Sequence, residues 1–238
     1  MTEVLTASTS DDIISHYLAD ERPAHASRPW ITLGMIASFD GSATLGVGSS
    51  GLGGPPDRAV FRALRAMSDL IVVGATTLNT EGYRAVSLPE NLRSWRERRG
   101  MTSVPGVAIV SKTLELDMSD SLLASRPTIL TCHSAPDDRR AALASVAEIV
   151  VAGQADVDVE AAMTELAARG VERVVLEGGP TLNGHMSALI DEVCMTVAPF
   201  LVGGGGPRIV TGGGAVRRAT LARVIHSEDF LLLRYLLG

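Results

Sequence analysis

Residues 171–182 read VERVVLEGGPTL, and this stretch decides the fold class. Its apolar first half, 171–176, predicts a buried strand, which the turn sequence EGG brings to an end. Proline is favoured in the first turn of a helix, so a helix is expected over residues 180–189. A strand that passes through a tight turn into a helix is the repeating unit of α/β proteins.

The same alternation of strands and helices continues on both sides of this stretch. The segment DLIVVG, residues 69–74, is apolar without alternation, which is typical of a strand buried on both faces of a parallel sheet. Further strands are predicted at 30–36, 107–110, 128–131, 149–151, 192–197 and 230–237, and helices at 56–67, 137–146 and 159–169. Strands separated by helices predict right-handed crossovers, and hence an α/β fold with a central, mainly parallel sheet flanked by helices.

The domain organisation predicted from the sequence is simple. The chain starts with a polar stretch, so we expect a mobile N-terminal segment over residues 1–27, followed by a single domain over residues 28–238. Residues 89–106 are dense in charge, and we interpret them as a solvated surface segment.

Composition and charge exclude several classes of function. The 21 lysine and arginine residues against 27 aspartate and glutamate residues give a net charge of −6, whereas a duplex-binding surface normally carries a basic stripe. The two cysteines are far apart in sequence, which favours a reducing, cytoplasmic compartment. No apolar run approaches the ~18 residues of a membrane span, and the histidines show no metal-ligand spacing. We therefore expect no nucleic acid, no membrane and no metal as partners.

Glycine is enriched, with 24 of 238 residues, which indicates backbone that approaches a ligand closely. Ligands of open α/β sheets bind beyond the carboxyl ends of the strands, so two turns are candidates. In the first, residues 74–78, Thr76 or Thr77 is expected to cap a helix; in the second, residues 177–181, paired glycines and a helix N-terminus suit a phosphate. Tight turns and helix caps are the alternative interpretation of both turns, and Glu177 is either a functional carboxylate or such a cap.

A third glycine-rich stretch, residues 46–54, contains the pattern G-x-G-x-x-G at Gly46, Gly48 and Gly51. In a Rossmann fingerprint the helix opens within these glycines, whereas here the loop continues to residue 54 before a helix begins. We interpret the stretch as a flexible loop that closes over a ligand.

Five motifs together resemble the reductase domain of bacterial riboflavin-biosynthesis deaminase-reductases, over roughly residues 28–238. The motifs are ASFDG (37–41), LRAMSD (64–69), GATTLNTE (74–81), VLEGGPTL (175–182) and IDEVCMTVAPFLVGG (190–204). The resemblance implies a dihydrofolate-reductase-like three-layer fold and a homodimer. It further implies the use of NADPH to reduce the ribosyl chain of 5-amino-6-(5-phosphoribosylamino)uracil, a phosphorylated pyrimidine substrate, to the ribityl chain.

The resemblance also assigns roles to individual residues. Glu177 and Asp40 fall at positions implied to be catalytic, Glu177 by supplying a proton and Asp40 near the nicotinamide. Positions implied to bind substrate are Ser49, Arg65 and Glu177. Positions implied to bind the cofactor are Thr77, Glu81, Ser111, Gly178, Gly179, Pro180, Thr181, Leu182 and Gly184.

Two departures from the family pattern bear on the substrate. The chain has no H-x-E followed by P-C-x-x-C, so we expect deamination to be catalysed by a separate protein. Many family members carry a lysine a few residues before S-x-D-G, where this chain has Gly34 and Met35. The alternatives are a reductase of the same fold that acts on dihydrofolate or another small carbonyl or imine, and an inactive nucleotide-binding protein.

Overall fold

A computed structural model describes residues 2–46, 48–213 and 216–238, which form two compact units. The first unit contains the chain up to Arg22 together with Ile31–Met67 and Val175–Gly238. The second contains Pro23–Trp30 and Ser68–Val174. Within the described residues, none of the helices combines the length and hydropathy that crossing a membrane requires.

Within the described residues, the chain forms ten strands and eight helices. The strands are β1 Glu3–Thr6, β2 Trp30–Ser38, β3 Leu70–Gly74, β4 Gly106–Val110, β5 Thr128–Thr131, β6 Glu148–Val151, β7 Arg173–Leu176, β8 Glu192–Ala198, β9 Ala219–Ser227 and β10 Phe230–Leu237. The helices are α1 Ser10–Leu18, α2 Pro55–Met67, α3 Ala75–Glu81, α4 Glu90–Glu97, α5 Asp120–Ala124, α6 Asp137–Ala144, α7 Val159–Ala168 and α8 Pro180–Met186.

In the first unit the strand order is β1-β9-β10-β8-β2, and the second half of β7 follows β2. β2 runs parallel to β8 with Thr32 opposite Glu192, and β1 runs parallel to β9. β10 is antiparallel to β9, with which it forms a hairpin, and it is also antiparallel to β8. The carboxyl ends of β2 and β8 therefore lie at one edge, where Ser38 is opposite Ala198.

In the second unit the first half of β7 is followed by β3-β4-β5-β6, and the ladders from β3 to β6 are all parallel. Apolar residues of these strands, such as Val73, Ile109 and Ile129, are fully buried against Leu78 of α3 and Leu122 of α5. Burial on both faces explains why these strands lack polar alternation in the sequence. The predicted α/β fold with a mainly parallel sheet flanked by helices is confirmed.

Most of residues 89–106 are exposed, as predicted for a solvated surface segment, but the segment also places the side chains of Leu92 and Arg96 in the interior. The segment contains α4, and the guanidinium of Arg96 is fully buried beneath it. Arg96 donates hydrogen bonds to the carbonyl oxygens of Ser68 at 2.5 Å and Thr102 at 2.7 Å. The charge density of the sequence did not reveal that Arg96 is buried, because its guanidinium donates hydrogen bonds to backbone carbonyl groups instead of to water.

The sequence pattern also reveals no element before residue 30, where the structure has β1 and α1. α1 begins with a capping box: Thr9 accepts a hydrogen bond from the Asp12 amide, and Asp12 accepts one from the Thr9 amide. Ile13, Ile14 and the Tyr17 ring form its buried face. Residues 3–18 therefore contribute a strand and a helix to the first unit, which the polar composition of this stretch did not reveal.

A buried ionic cluster joins this N-terminal segment to the sheet of the first unit. Glu192 is fully buried and accepts hydrogen bonds from Arg22 through both carboxylate oxygens, each at 2.7 Å, and from Arg234 at 2.8 Å. Asp20 lies 2.9 Å from Arg223 and 3.3 Å from both Arg22 and Arg234. Burial by itself raises the pKa of Glu192, but the two guanidinium groups outweigh it and lower this pKa to about 2.

Replacing Glu192 with glutamine should destabilise the protein strongly at neutral pH, by about 3 kcal/mol, because Arg22 and Arg234 stay buried without their counter-charge. Since folding lowers the pKa of Glu192, its contribution is present above about pH 4.5 and is lost as the pH falls towards 2. Urea unfolding between pH 7 and pH 3 measures both effects. Glu21→Gln, which removes an exposed charge from the same segment, is the matched control and should change little. Equal unfolding curves for the two variants would contradict the assignment.

Candidate active site

The carboxyl edge of the first unit brings together three chain segments that follow strands. β2 leads into the turn that holds Asp40, β7 leads into Glu177, and β8 leads into a glycine-rich stretch that starts near residue 200. Parallel strands deliver their carboxyl ends to the same edge, which is where α/β proteins bind ligands. Residues far apart in sequence are thus collected in one place.

Arg65 and Glu177, both predicted to contact substrate, form a bidentate ion pair at this edge. The Nε and Nη2 atoms of Arg65 each donate a hydrogen bond of 2.7 Å to a separate carboxylate oxygen of Glu177. The Glu177 side chain is 2% exposed, whereas the Arg65 side chain is 32% exposed. Paired fork-to-fork contacts fix the orientation of both groups. The buried carboxylate therefore holds a guanidinium whose outer side faces solvent.

The turn after Glu177 has a backbone conformation that requires glycine. Gly178 has φ +95°, a backbone conformation that residues other than glycine rarely adopt. The Gly178–Gly179 peptide bond is cis. The N-cap of α8 is Gly179, which has no capping side chain. Glu177 is therefore not the cap of this helix. An N-terminus without a side-chain cap leaves amide groups of the first turn, at Thr181 and Leu182, available to an anionic ligand.

α8 is covered by the glycine-rich stretch that follows β8. The Thr211 amide donates to the Pro180 carbonyl at 3.0 Å, and the Asn183 side-chain amide donates to the Ile209 carbonyl at 2.6 Å. A Cβ on Gly184 would lie 1.9 Å from the carbonyl oxygen of Thr211. Glycine is required at residue 184 because backbone from another segment occupies the place of a side chain.

Asp40 fastens the other end of the same stretch. Its carboxylate accepts hydrogen bonds from the Ser38 hydroxyl at 2.5 Å, the Gly203 amide at 2.9 Å and the Val202 amide at 3.2 Å. These three bonds, led by the one from Ser38, lower the pKa of Asp40 below its usual value. The side chain thereby ties the turn after β2 to the segment after β8.

The loop that carries Ser49 lies at the start of α2. The Leu52 amide donates to the Ser49 carbonyl at 3.0 Å, so the residue sits in a tight turn. The predicted loop, residues 46–54, includes Val47, which lies outside the described residues. Closure of this loop over a ligand stays a prediction.

The remaining predicted cofactor contacts lie in the second unit, at the carboxyl ends of β3 and β4. Thr77 is half-buried in α3, Glu81 is exposed in its last turn, and Ser111 follows β4. Ser111 is buried, and its hydroxyl accepts a hydrogen bond of 2.9 Å from the Leu114 amide. The expectation that Thr76 or Thr77 caps α3 is wrong, because the N-cap is Gly74 and has no side-chain hydrogen bond.

Among the buried polar side chains of the first unit, Asn183 and Asp57 lie close to the candidate site although the motifs do not single them out. Asn183 is fully buried, its amide lies near the position that a Cβ on Gly178 would take, and Asp57 is buried in the first turn of α2. Both residues lie in the first turn of a helix that begins with proline, and this position in the sequence does not indicate a function. Their importance becomes visible only through what packs against them.

The family is decided by comparison with known proteins. Residues 29–231 match the family model described as the RibD C-terminal domain. The chain belongs to the RibD C-terminal domain family.

Relatives of this RibD C-terminal domain protein cover most of its length. A 2,5-diamino-6-ribosylamino-4(3H)-pyrimidinone 5′-phosphate reductase from Methanothermobacter thermautotrophicus is 32% identical over 86% of this chain and 94% of its own. A pyrimidine reductase-like protein of known structure from Corynebacterium diphtheriae has 27% identity and a TM-score of 0.80, covering 88% of this chain and 92% of its own. Dihydrofolate reductase from Enterococcus faecalis has 10% identity and a TM-score of 0.54, covering 88% and 96%. The last likeness concerns the fold alone, and it confirms the dihydrofolate-reductase-like fold expected from the sequence.

The structure gives a reason for one departure of this RibD C-terminal domain protein from the expected pattern. Where a lysine is common, the chain has Gly34, and a Cβ there would lie 2.8 Å from the Leu64 side chain of α2. The next residue, Met35, has its sulfur 3.6 Å from the Asn183 amide. A side chain at residue 34 would therefore press on the end of the buried Leu64 side chain, which would have to move to admit it.

Replacing Gly184 with alanine should destabilise the first unit by about 2 kcal/mol, because the new Cβ would collide with the Thr211 carbonyl and force backbone to move. Urea unfolding measures the loss. His185→Ala, at the exposed neighbouring position of the same helix, should leave the midpoint nearly unchanged. A Gly184→Ala protein as stable as the His185→Ala protein would show that residues 211–212 do not pack on α8 as described.

Proposed function

We propose that this protein is an NADPH-dependent reductase of riboflavin biosynthesis that converts the ribosyl chain of a ribosylamino-pyrimidine 5′-phosphate into a ribityl chain. The observation that carries the proposal is the bidentate Arg65–Glu177 pair at the ligand-binding edge of a RibD C-terminal domain. A buried carboxylate that presents a partly exposed guanidinium is suited to a substrate with phosphate and hydroxyl groups.

Two pyrimidines differ only at position 2 of the base. The uracil form was expected from the sequence, whereas the relative that is 32% identical is named for the 2,5-diamino form. We propose the 2,5-diamino compound as the first substrate. This choice agrees with the absence of a deaminase motif from the chain, because reduction can then precede deamination by another protein.

The residues present fit a nicotinamide dinucleotide. The positive-φ Gly178, the N-cap Gly179 and the uncapped first turn of α8 provide backbone amides of the kind that bind a diphosphate. In this proposal Pro180, Thr181, Leu182 and Gly184 belong to that helix, and Thr77, Glu81 and Ser111 stay the cofactor contacts that the family resemblance implies. NADPH supplies the hydride when it is bound.

The protein's own contribution is to bind and orient the substrate. The acceptor is C1′ of the opened ribosyl chain, as an imine or aldehyde, which gains one hydride on carbon and one proton on nitrogen or oxygen. Both oxygens of Glu177 already accept hydrogen bonds from Arg65, so we assign Glu177 to holding Arg65 against the substrate rather than to donating the proton. In this proposal the solvent supplies the proton. Ser49 contacts the substrate, and Asp40 holds the turn after β2 in position beside the site.

The cytoplasmic location and the homodimer belong to the same proposal, and light scattering tests the latter. Dihydrofolate or another small carbonyl or imine is the competing substrate class for this fold. An inactive nucleotide-binding protein is the competing function of another class.

Absorbance at 340 nm with NADPH and one candidate substrate at a time separates these functions. We expect decay with the 2,5-diamino-pyrimidine phosphate, slower decay with the uracil analogue, and none with dihydrofolate. If the absorbance decays only with dihydrofolate, the substrate is a pterin and not the pyrimidine. Quenching of tryptophan fluorescence by NADPH without turnover of any compound would support the binding protein.

Glu177→Gln should lower kcat/KM for the pyrimidine at least roughly tenfold, because losing a charge-assisted hydrogen bond costs on the order of 2 kcal/mol and frees Arg65 to move. The dissociation constant for NADPH should change little. Glu160→Gln, at an exposed position in the first turn of α7, is the control and should keep the normal rate. Unchanged turnover of Glu177→Gln in single-turnover measurements would remove Glu177 from the mechanism.

A further inference from the structure

A buried carboxyl group lies directly beneath the loop that carries Ser49. Asp57 is in the first turn of α2 and only 7% exposed. Its Oδ2 atom lies 3.2 Å from the position that a Cβ on Gly53 would take. The loop backbone at residue 53 therefore passes close to the Asp57 carboxyl group, and a side chain at residue 53 would press against it.

The loop above Asp57 is compact enough to transmit a displacement. The Leu52 amide donates to the Ser49 carbonyl at 3.0 Å, and the Gly53 amide donates to the Ser50 carbonyl at 3.3 Å. At the next residue, Gly54, a Cβ would lie 2.6 Å from the ring of Phe230 in β10. The Phe230 ring thus packs closely against the loop at residue 54. The two hydrogen-bonded turns link residue 53 to Ser49.

The surroundings of Asp57 suit a neutral carboxyl group better than an ionised one. Its Oδ1 atom is buried without a hydrogen-bond partner among the described residues. The charged group whose field acts on Asp57 is Arg58 of the same helix, and β8 contributes the uncharged Thr196. Burial raises the pKa of Asp57 to about 6, although Thr196 and then Arg58 oppose the rise.

We propose that Asp57 is a positioning residue for the substrate: as a neutral acid it supports the Ser49 loop in the geometry seen here, and as a carboxylate it displaces the loop. A neutral carboxyl has an O–H to donate to the groups around it, whereas a buried carboxylate without a partner is driven towards water. The proposal rests on the proposed function, because Ser49 is a proposed substrate contact.

The consequence is a linkage between substrate affinity and pH. If only the neutral form holds the loop in place, the apparent KM for the pyrimidine rises as the fraction of neutral Asp57 falls above about pH 6. Binding of substrate at neutral pH then takes up a proton at Asp57. The affinity for NADPH and the value of kcat at saturation are not linked to this group.

The test compares KM for the pyrimidine phosphate from about pH 5.5 to about pH 8 in the wild type and in Asp57→Asn. The asparagine mimics the neutral acid, so we expect a wild-type KM that rises by roughly 80-fold more than that of the variant over this range, because the neutral fraction of Asp57 falls by that factor. Titration of the substrate's own phosphate cancels in this ratio, since both proteins receive the same substrate. Asp11→Asn, at an exposed acid in the first turn of α1, is the matched control and should follow the wild type. Parallel profiles for wild type and Asp57→Asn would overturn the proposal.

A second variant keeps the test valid if Asp57→Asn folds poorly. Thr196 opposes the rise in the pKa of Asp57, so Thr196→Val should move the midpoint of the KM profile to higher pH. A midpoint that stays in place would count against Asp57 as the titrating group.

Unfolding experiments separate this proposal from the proposed function. Because folding raises the pKa of Asp57, its ionisation costs stability as the pH rises through about 6, and Asp57→Asn should gain in urea midpoint over the wild type between pH 5 and pH 8. A wild type that reduces neither pyrimidine would refute the proposed function, and a pH-independent stability difference would refute the role of Asp57.

Discussion

The neutralisation of one buried carboxylate is the constraint on which the first unit depends. Glu192 begins β8 with a fully buried side chain, so its charge has to be met inside the protein. Arg22 of the N-terminal segment and Arg234 of β10 neutralise this charge by donating hydrogen bonds to the carboxylate. Residues at both ends of the chain are thereby fixed to the strand that leads to the candidate site. The desolvation of three charged groups is tolerated because each finds a partner of opposite sign at hydrogen-bonding distance.

The site at the carboxyl edge uses the same physical device in a more open setting. Arg65 and Glu177 also form a bidentate pair, yet a third of the Arg65 side chain stays exposed. A fully buried pair can only support the fold, whereas a pair with one exposed partner keeps a charged surface for a ligand. Asp40 and Gly184 serve this arrangement indirectly, because they hold the glycine-rich stretch after β8 against the turn after β2 and against α8.

Much of the fold could be predicted from local patterns. Runs such as LIVVG are recognisable as buried parallel strands, and β3, β4, β5 and α2 begin and end within one or two residues of their predicted limits. β1, α1, α4, α5 and β9 were not predicted. Their stability comes from partners distant in the sequence, such as the register of Val4 opposite Val224 between β1 and β9, and not from propensity or periodicity.

The sequence by itself determined the order of strands and helices, the two glycine turns at strand ends and the family resemblance, because each depends on residues that are neighbours in the chain. Only the tertiary structure decided which side chains meet. Arg65 and Glu177 are 112 residues apart, and Arg22 and Glu192 are 170 apart. The burial of Asp57 beneath Gly53 and the collision that excludes a side chain at Gly184 are likewise consequences of packing. Such contacts depend on distances between distant segments, which a pattern of residue types does not encode.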